Sequence, residues 1–300
     1  MNTSYTKAYF ALMVGIITVS VSAIFVRLAD APSSVTAFYR MFFSVMLMAP
    51  IFFLKYKHEL KRINKRDWTY SIIAGFFLAL HFVLWFESLR YTSVASSTVL
   101  VTLQPLFAFI GTYLFFKEKL TIRAVVSGLF AVLGSFVISW GDFRISGLAL
   151  WGDILALVAC LLVTVYLLFG QDVRSRLSLI SYTFIVYTVS AITLFFYVLV
   201  SGDSFFSYKN EQWMYFVLLA IFPTLLGHTM FNYALKWVST SVISVTILLE
   251  PVGASILAYY LLNENIYTYQ VIGGIIVIIG ICLFMFSNRR DNSQIESKGA

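Results

Sequence analysis

With 300 residues, 60% of them hydrophobic and 12% charged, and a mean hydropathy of +0.87, the chain carries about half the charge of a soluble domain, roughly 25%, and water cannot be the main solvent of its surface. A net charge of +7 and a pI near 9.3 would point to nucleic acid in a soluble protein. Here the basic residues sit in short connectors between apolar runs, with no basic patch interleaved with base-stacking aromatics outside them, which excludes a nucleic-acid partner and leaves the lipid bilayer.

A spanning helix needs about 20 mostly apolar residues, and ten runs qualify. The first, 8–28, is too long for a signal-peptide core and lacks a well-placed small-x-small cleavage site, so it reads as a retained helix. The second, 34–54, holds Arg40 about a third of the way in; it could pair with Glu87 or Asp153, or attract an anionic group of a substrate. The third, 68–89, carries His81 and Trp85 four apart on one face, then Glu87. The fourth, 93–115, carries Thr98 and Thr102 at the same spacing, then Gln104 before Pro105. The fifth and sixth are 122–140 and 148–170. The seventh is 180–201, and the eighth, 213–235, contains Pro223, His228, Asn232 and Tyr233. The ninth, 240–262, repeats the spacing in Thr246 and Glu250, with Pro251 following, and the tenth is 269–287. The polar remainder, 288–300, is expected to be a disordered cytoplasmic tail.

Cys160 and Cys282 each fall inside an apolar run and read as small buried hydrophobes; neither a disulfide framework nor a metal site is indicated. Trp68, Trp213 and Tyr269 fall at predicted helix ends, as interfacial anchors do. A transmembrane barrel would need alternating strands of about ten residues, whereas these runs are continuous and twice as long. If the N-terminus is cytoplasmic, sixteen Lys and Arg fall on that side. Only Arg27, Arg90, Arg144 and Lys209 fall opposite. The expectation is a multi-pass protein of the cell (plasma) membrane with both termini cytoplasmic.

The chain also repeats itself. Leu89, Ser93, Val99, Leu103, Pro105, Ala108, Ile110, Tyr113, Glu118, Gly128 and Gly134 recur as Leu235, Ser239, Val245, Leu249, Pro251, Ala254, Ile256, Tyr259, Glu264, Gly274 and Gly280, every pair at an offset of 146. An ungapped register that matches Pro, Glu and paired Gly is not explained by two apolar helices alone. The repeat unit holds five spans, an odd number, so the second copy must enter the membrane upside down. The predicted fold is therefore an all-α integral membrane protein, ten transmembrane helices as two inverted five-helix repeats, 8–140 and 148–287.

An ionisable group in a span asks for a reason. Glu250 lies near the middle of the ninth run beside Pro251, which frees a backbone carbonyl. It could bind a proton, a cation or an ammonium group, or, protonated, merely bond a neighbouring helix; Gln104 is its mate in the first half. The Thr98–Thr102 and Thr246–Glu250 stripes read either as cavity wall or as helix–helix hydrogen bonding. His81 and His228 read either as structural or as cavity-lining, while Pro105, Pro223 and Pro251 mark candidate kinks. Arg27 and Arg90 are expected to snorkel, and Glu118, beside Lys117 and Lys119, to be interfacial.

The stretch Trp85–Phe86–Glu87–Ser88–Leu89–Arg90–Tyr91–Thr92–Ser93–Val94–Ala95, then Leu103–Gln104–Pro105–Leu106–Phe107 and Lys117–Glu118–Lys119–Leu120, resembles the EamA-like branch of the drug/metabolite transporter superfamily. Ala37–Phe38–Tyr39–Arg40 looks like that family's arginine signature. Asn232–Tyr233–Ala234–Leu235–Lys236–Trp237–Val238–Ser239, Glu250–Pro251 and Asn263–Glu264–Asn265–Ile266 echo it in the second half. The likeness covers nearly the whole chain as two tandem domains. It implies a ten-helix carrier with a central cavity, exporting a small organic metabolite, amino acid or drug. No phosphate-binding loop, H-E-x-x-H, nucleophile elbow or acidic metal cluster occurs, so neither a primary pump nor an enzyme is indicated and no cofactor is expected. A secondary transporter working by alternating access is the leading reading. Its expected partners are a small-molecule substrate, lipid and a proton as coupling ion, in a monomer or homodimer. A passive channel or a non-transporting membrane sensor are the alternatives.

Overall fold

The computed structural model describes residues 3–138, 140, 147–261 and 265–298, with side chains described from 4 through 287. Arg144 and Glu264 lie outside the described residues. Among the described residues, nine helices are long and apolar enough to cross a bilayer: α1 Ser4–Ala29, α2 Ser33–Arg62, α3 Lys65–Tyr91, α4 Val94–Phe116, α6 Gly147–Arg174, α7 Leu179–Ser201, α8 Asn210–Ala234, α9 Thr240–Leu261 and α10 Thr268–Ser287. A shorter apolar helix, α5 Ile122–Ile138, completes the ten. At 1.5 Å per residue its 17 residues rise about 25 Å.

The ends follow from local chemistry. Asn64 and Ser178 accept hydrogen bonds from the Asp67 and Ser181 amides, and Ser93 does the same for Ser96, so each starts a helix by capping an orphan N–H. α7 stops at Gly202, whose φ of +72° closes the turn at no steric cost. Outward faces remain apolar, as at Phe10, Leu54, Ile110, Leu133, Phe196, Val200 and Ile275, which suits lipid as solvent. Cys160 is buried, but Cys282 is exposed on α10 and is not the buried hydrophobe expected: hydropathy cannot tell a core-facing from a lipid-facing position. The backbone of α10 continues as helix to Lys298, across most of the stretch expected to be a disordered tail; residues 299 and 300 are not described.

The packing has the symmetry of the repeat. α3 lies along α6, and α1 lies along α8; α2 packs on α7, α4 on α9 and α5 on α10. Exchanging the halves maps this set of neighbours onto itself. The α5–α10 seam is tight, because small residues line it. A Cβ added at Gly273 would lie 2.6 Å from the Ile138 amide nitrogen, and one at Gly280 2.6 Å from the Ala131 nitrogen. Backbones approach this closely in lipid, where dispersion rather than hydrophobic burial drives helix association.

Three helices are interrupted where continuous spans were expected. α4 consists of Val94–Val101 and Gln104–Phe116, and α9 of Thr240–Ile247 and Glu250–Leu261. α1 breaks between Val19 and Ser22. The α4 and α9 breaks fall at matching repeat positions, just ahead of Pro105 and Pro251, where the missing proline N–H ends the ladder. In α8 the helix widens into a π segment, Ala220–His228, around Pro223.

Glu118 lies between α4 and α5 and accepts a 2.8 Å hydrogen bond from Ser239, at the start of α9 in the other half. Burial pushes its carboxyl above the usual range, opposed by the hydroxyls of Ser239 and Thr112. A raised carboxyl pKa means that the folded state holds the proton more tightly, so this contribution to stability is present at low pH and is lost as pH rises through the folded value. The melting temperature in detergent is expected to fall between pH 4.5 and 7.5 by more in the native chain than in Glu118→Gln. At the glycine seam, Gly273→Val should lower the melting temperature by several degrees. Gly274→Ala, whose new methyl would meet Val252 at an ordinary 3.6 Å, should leave it within one or two degrees.

Candidate functional site

The interruptions in α1, α4 and α9 meet at the centre of the bundle and enclose a chamber of about 30 Å³. Gln104 and Glu250 are the first residues of the half-helices that begin there, so their surroundings include N–H groups with no intrahelical partner and the positive end of a helix dipole. Ser20, in the break of α1, reaches the Glu250 carbonyl at 3.5 Å. The approach depends on Gly253, where a Cβ would lie 2.4 Å from the Ser20 hydroxyl.

Six of the residues singled out in the sequence line this chamber: Arg40, His81, Trp85, Gln104, His228 and Glu250. Arg40 is fully buried. It pairs with neither Glu87 nor Asp153. Its Nε donates to Thr224 at 2.7 Å and Nη1 to Ser22 at 3.0 Å, while Nη2 has no partner. The guanidinium carbon sits 4.0 Å from the Phe82 ring centroid, a cation–π contact that offsets part of its lost hydration. No ion pair within 4 Å joins Arg40 to Glu250 or to any other described carboxylate. His81 holds its Nδ1 2.9 Å from the Ala159 carbonyl oxygen; a carbonyl only accepts, so Nδ1 carries the hydrogen and Nε2 is left as an acceptor. Its ring lies 5.8 Å from that of Trp85 and 6.4 Å from that of His228.

The other residues named from the sequence do not line this chamber. Glu87 pairs with Arg90 at 3.2 Å near the end of α3, and Asp153 accepts from Ser96. Thr102 and Thr246 turn their hydroxyls onto carbonyls of their own helices, Thr98 and Val99 in one case and Val242 in the other. Thr98 is buried with its hydroxyl unpartnered. Asn232 donates to Tyr166 and to the His228 carbonyl. Tyr233 packs its ring at a tilt against that of Trp237 at one end of the bundle. Sequence reasoning missed Ser22 and Thr224, which hold Arg40, and the break in α1. The available signal was the run of hydroxyls Thr18, Ser20 and Ser22, the first two of which bond back to carbonyls one turn earlier.

Two open vestibules flank the chamber. One, of about 550 Å³, is lined by the α1–α2 turn (Asp30 to Ser34), the end of α3 (Glu87, Arg90) and the end of α7 (Tyr197, Ser201, Asp203). The other, of about 400 Å³, is lined by the α6–α7 turn (Arg174 to Ser178), the end of α8 and its following turn (Tyr233, Lys236) and the end of α2 (Tyr56). Exchange of the halves carries one set onto the other. The connectors are five spans apart, so the vestibules open at opposite ends of the bundle.

Polar contacts border each vestibule, and at each end at least one of them joins the two halves. At the first, Ser34 donates to Asp203 at 2.5 Å and Tyr39 to the Phe205 carbonyl at 2.6 Å. At the second, Arg174 donates to the Asn232 carbonyl at 2.9 Å. There Arg176 also binds Asp67 at 2.6 Å and pairs with Asp172, which raises its already high pKa. Among the described residues no group of three His, Cys, Asp or Glu side chains could hold a metal ion.

Known proteins resemble this chain along most of its length. A sequence model of the EamA-like transporter family matches residues 6–140 and again 150–286. The uncharacterized transporter YxxF of Bacillus subtilis is 24% identical over 90% of this chain and 86% of its own length. An uncharacterized transporter of Archaeoglobus fulgidus is 25% identical over 82% and 86%, and the uncharacterized transporter YyaM of Bacillus subtilis 27% identical over 79% of each. A protein of known crystal structure superposes with a TM-score of 0.77 at 17% identity, over 95% of this chain and 98% of its own, a likeness that bears on the fold alone. The chain belongs to the EamA-like transporter family: it is a multi-pass membrane transporter carrying two copies of the family's repeat, and not an enzyme.

Proposed function

We propose that the protein is a secondary transporter that moves a small organic solute by alternating access. The observation that carries this reading is the pair of symmetry-related vestibules on either side of one small chamber lined by Arg40, Gln104 and Glu250. Two inverted copies of one scaffold have inward-open and outward-open arrangements of nearly equal energy, and a solute in the chamber biases the balance between them. A chamber of about 30 Å³ is too small for an organic solute, so this arrangement is the closed one between the two open ones.

The excess of Lys and Arg supports a cytoplasmic Arg174–Lys236 vestibule, on the side of both termini, and an Asp30–Asp203 vestibule outside the plasma membrane. Export is the favoured direction. Glu250 is the proposed coupling residue: an unpaired carboxylate at the seam can hold a proton or a cationic group, but not both at once. The repeat domains, 8–140 and 148–287, are the units that rock, and the tail after Ser287 is cytoplasmic. A channel is the weaker reading, because the chamber between the two vestibules holds only about 30 Å³.

Glu250→Gln is expected to insert and express normally and to lose at least tenfold in counterflow rate in liposomes, with a flat pH profile. Normal, pH-dependent transport by that variant would remove Glu250 from the mechanism. A thiol cross-link between Ser34→Cys and Asp203→Cys, in a Cys282→Ala background, should stop transport until it is reduced. Either cysteine alone, after the same reagent, should transport at more than half the native rate.

A further inference from the structure

The connector between α2 and α3 is far more basic than its counterpart in the other half. Residues 55–66 hold Lys55, Lys57, Lys61, Arg62, Lys65 and Arg66 against a single acid, Glu59. The matching connector between α7 and α8, residues 202–209, holds one base, Lys209, and one acid, Asp203. The six bases sit on regular backbone. Pro50 withholds an amide from α2, and the helix widens into a π turn over Phe52–Tyr56. It then tightens into a 3₁₀ turn over Lys57–Arg62, and the chain restarts as α3 at Lys65.

Folding sorts the charges of this segment. All six bases are exposed. Among the described residues Arg66 pairs with Asp172, and the other five take part in no ion pair. The acids turn inward. Glu59 accepts from Ser178 at 2.6 Å. Asp67, buried at the start of α3, accepts from Arg176 at 2.6 Å and from Asn64 at 2.9 Å. Topology alone does not account for this sorting. Membrane insertion reads the number of Lys and Arg in a connector and is nearly indifferent to acids, so it does not dictate where the acids point in the folded chain. Directly ahead of the bases, Ile51, Phe53 and Leu54 are exposed, Leu54 by 83%. An apolar face that ends in a polybasic rim offers an acidic lipid both of its contacts: cations for the phosphate and an apolar surface for the chains.

We propose that the α2–α3 connector is a binding site for anionic phospholipid. Lys57, Lys61 and Arg62 hold the phosphodiester, and Phe53 and Leu54 pack against the upper part of the acyl chains. A zwitterionic lipid brings its own cation to the rim and gains less there, and a soluble phosphate lacks the chains. The site also bears on the second half of the molecule. Tyr56 lines the Arg174–Lys236 vestibule, and Glu59 and Asp67 hold Ser178 and Arg176 of the turn beside it. Lipid that fixes the connector therefore steadies that turn.

Native mass spectrometry of the full chain in detergent, titrated with phosphatidylglycerol or with phosphatidylcholine of the same acyl chains, reads the binding directly. Phosphatidylglycerol should bind about tenfold more tightly, and added salt should narrow the gap. The triple variant Lys57→Gln, Lys61→Gln, Arg62→Gln alters only exposed side chains and should lose most of this preference. The triple variant Lys7→Gln, Lys119→Gln, Arg123→Gln removes the same charge from other exposed positions and should keep it. Phosphatidylglycerol should also raise the melting temperature of the native chain and of the second variant, but not of the first. Equal losses in the two variants would reduce the preference to net charge and overturn the inference. So would equal binding of the two lipids by the native chain, or glycerol phosphate competing as well as the intact lipid.

Discussion

The structure depends on one constraint: a backbone interrupted inside a bilayer must find its hydrogen bonds within the protein, because lipid offers none. α4 and α9 are interrupted at Thr102–Leu103 and Leu248–Leu249, and α1 at Ser20. The amides at each break pair with carbonyls one turn earlier, Ser20 with Ile16, Thr102 with Thr98 and Leu248 with Val245, and Ser20 reaches across to the Glu250 carbonyl. The consequence is a polar point held in an apolar bundle. Around it Arg40 and Glu250 can stay buried, the first by two hydroxyls and an aromatic face, the second at the start of a half-helix.

Symmetry and chemistry are separable here. The neighbour relations and the two vestibules obey exchange of the halves, but the chamber does not. Glu250 faces the uncharged Gln104 at the matching position, and the central guanidinium comes from the first half alone. A symmetric scaffold supplies two doors of similar stability, while an asymmetric site lets one solute be held in a single orientation. The vestibules differ too: Arg174, Arg176 and Lys236 border one, and Asp30, Glu87 and Asp203, with Arg90 paired to Glu87, border the other.

Much of this was legible in the sequence for physical reasons. Ten apolar runs are forced by bilayer thickness, and they match the observed helices to within a few residues at most ends, the main exceptions being the overruns of α2 to Arg62 and of α10 to Lys298. The offset of 146 pairs Pro105 with Pro251, and so the two breaks, although the sequence suggested kinks rather than interrupted helices. Arg40, Glu250 and the two histidines stood out because charge and imidazole are rare in spans. What the sequence could not show was direction around each helix. Glu87 and Tyr233 turn to the ends, and Thr102 and Thr246 bond their own backbones. Cys282 faces outward, and Ser22 and Thr224 turn out to hold Arg40. The break in α1 has no proline to announce it; it arises from hydroxyls competing for backbone carbonyls.

The central claim is that one chamber is served by two doors, open in turn. Spin labels at Ala31 and Ser201 span the first vestibule, and labels at Ser175 and Lys236 span the second. Pulsed electron–electron resonance in liposomes then reads both distances across a range of pH and solute. The account predicts opposite changes, the first pair separating as the second closes. A distance fixed under all conditions at either end, or a population with both vestibules open together, would contradict it.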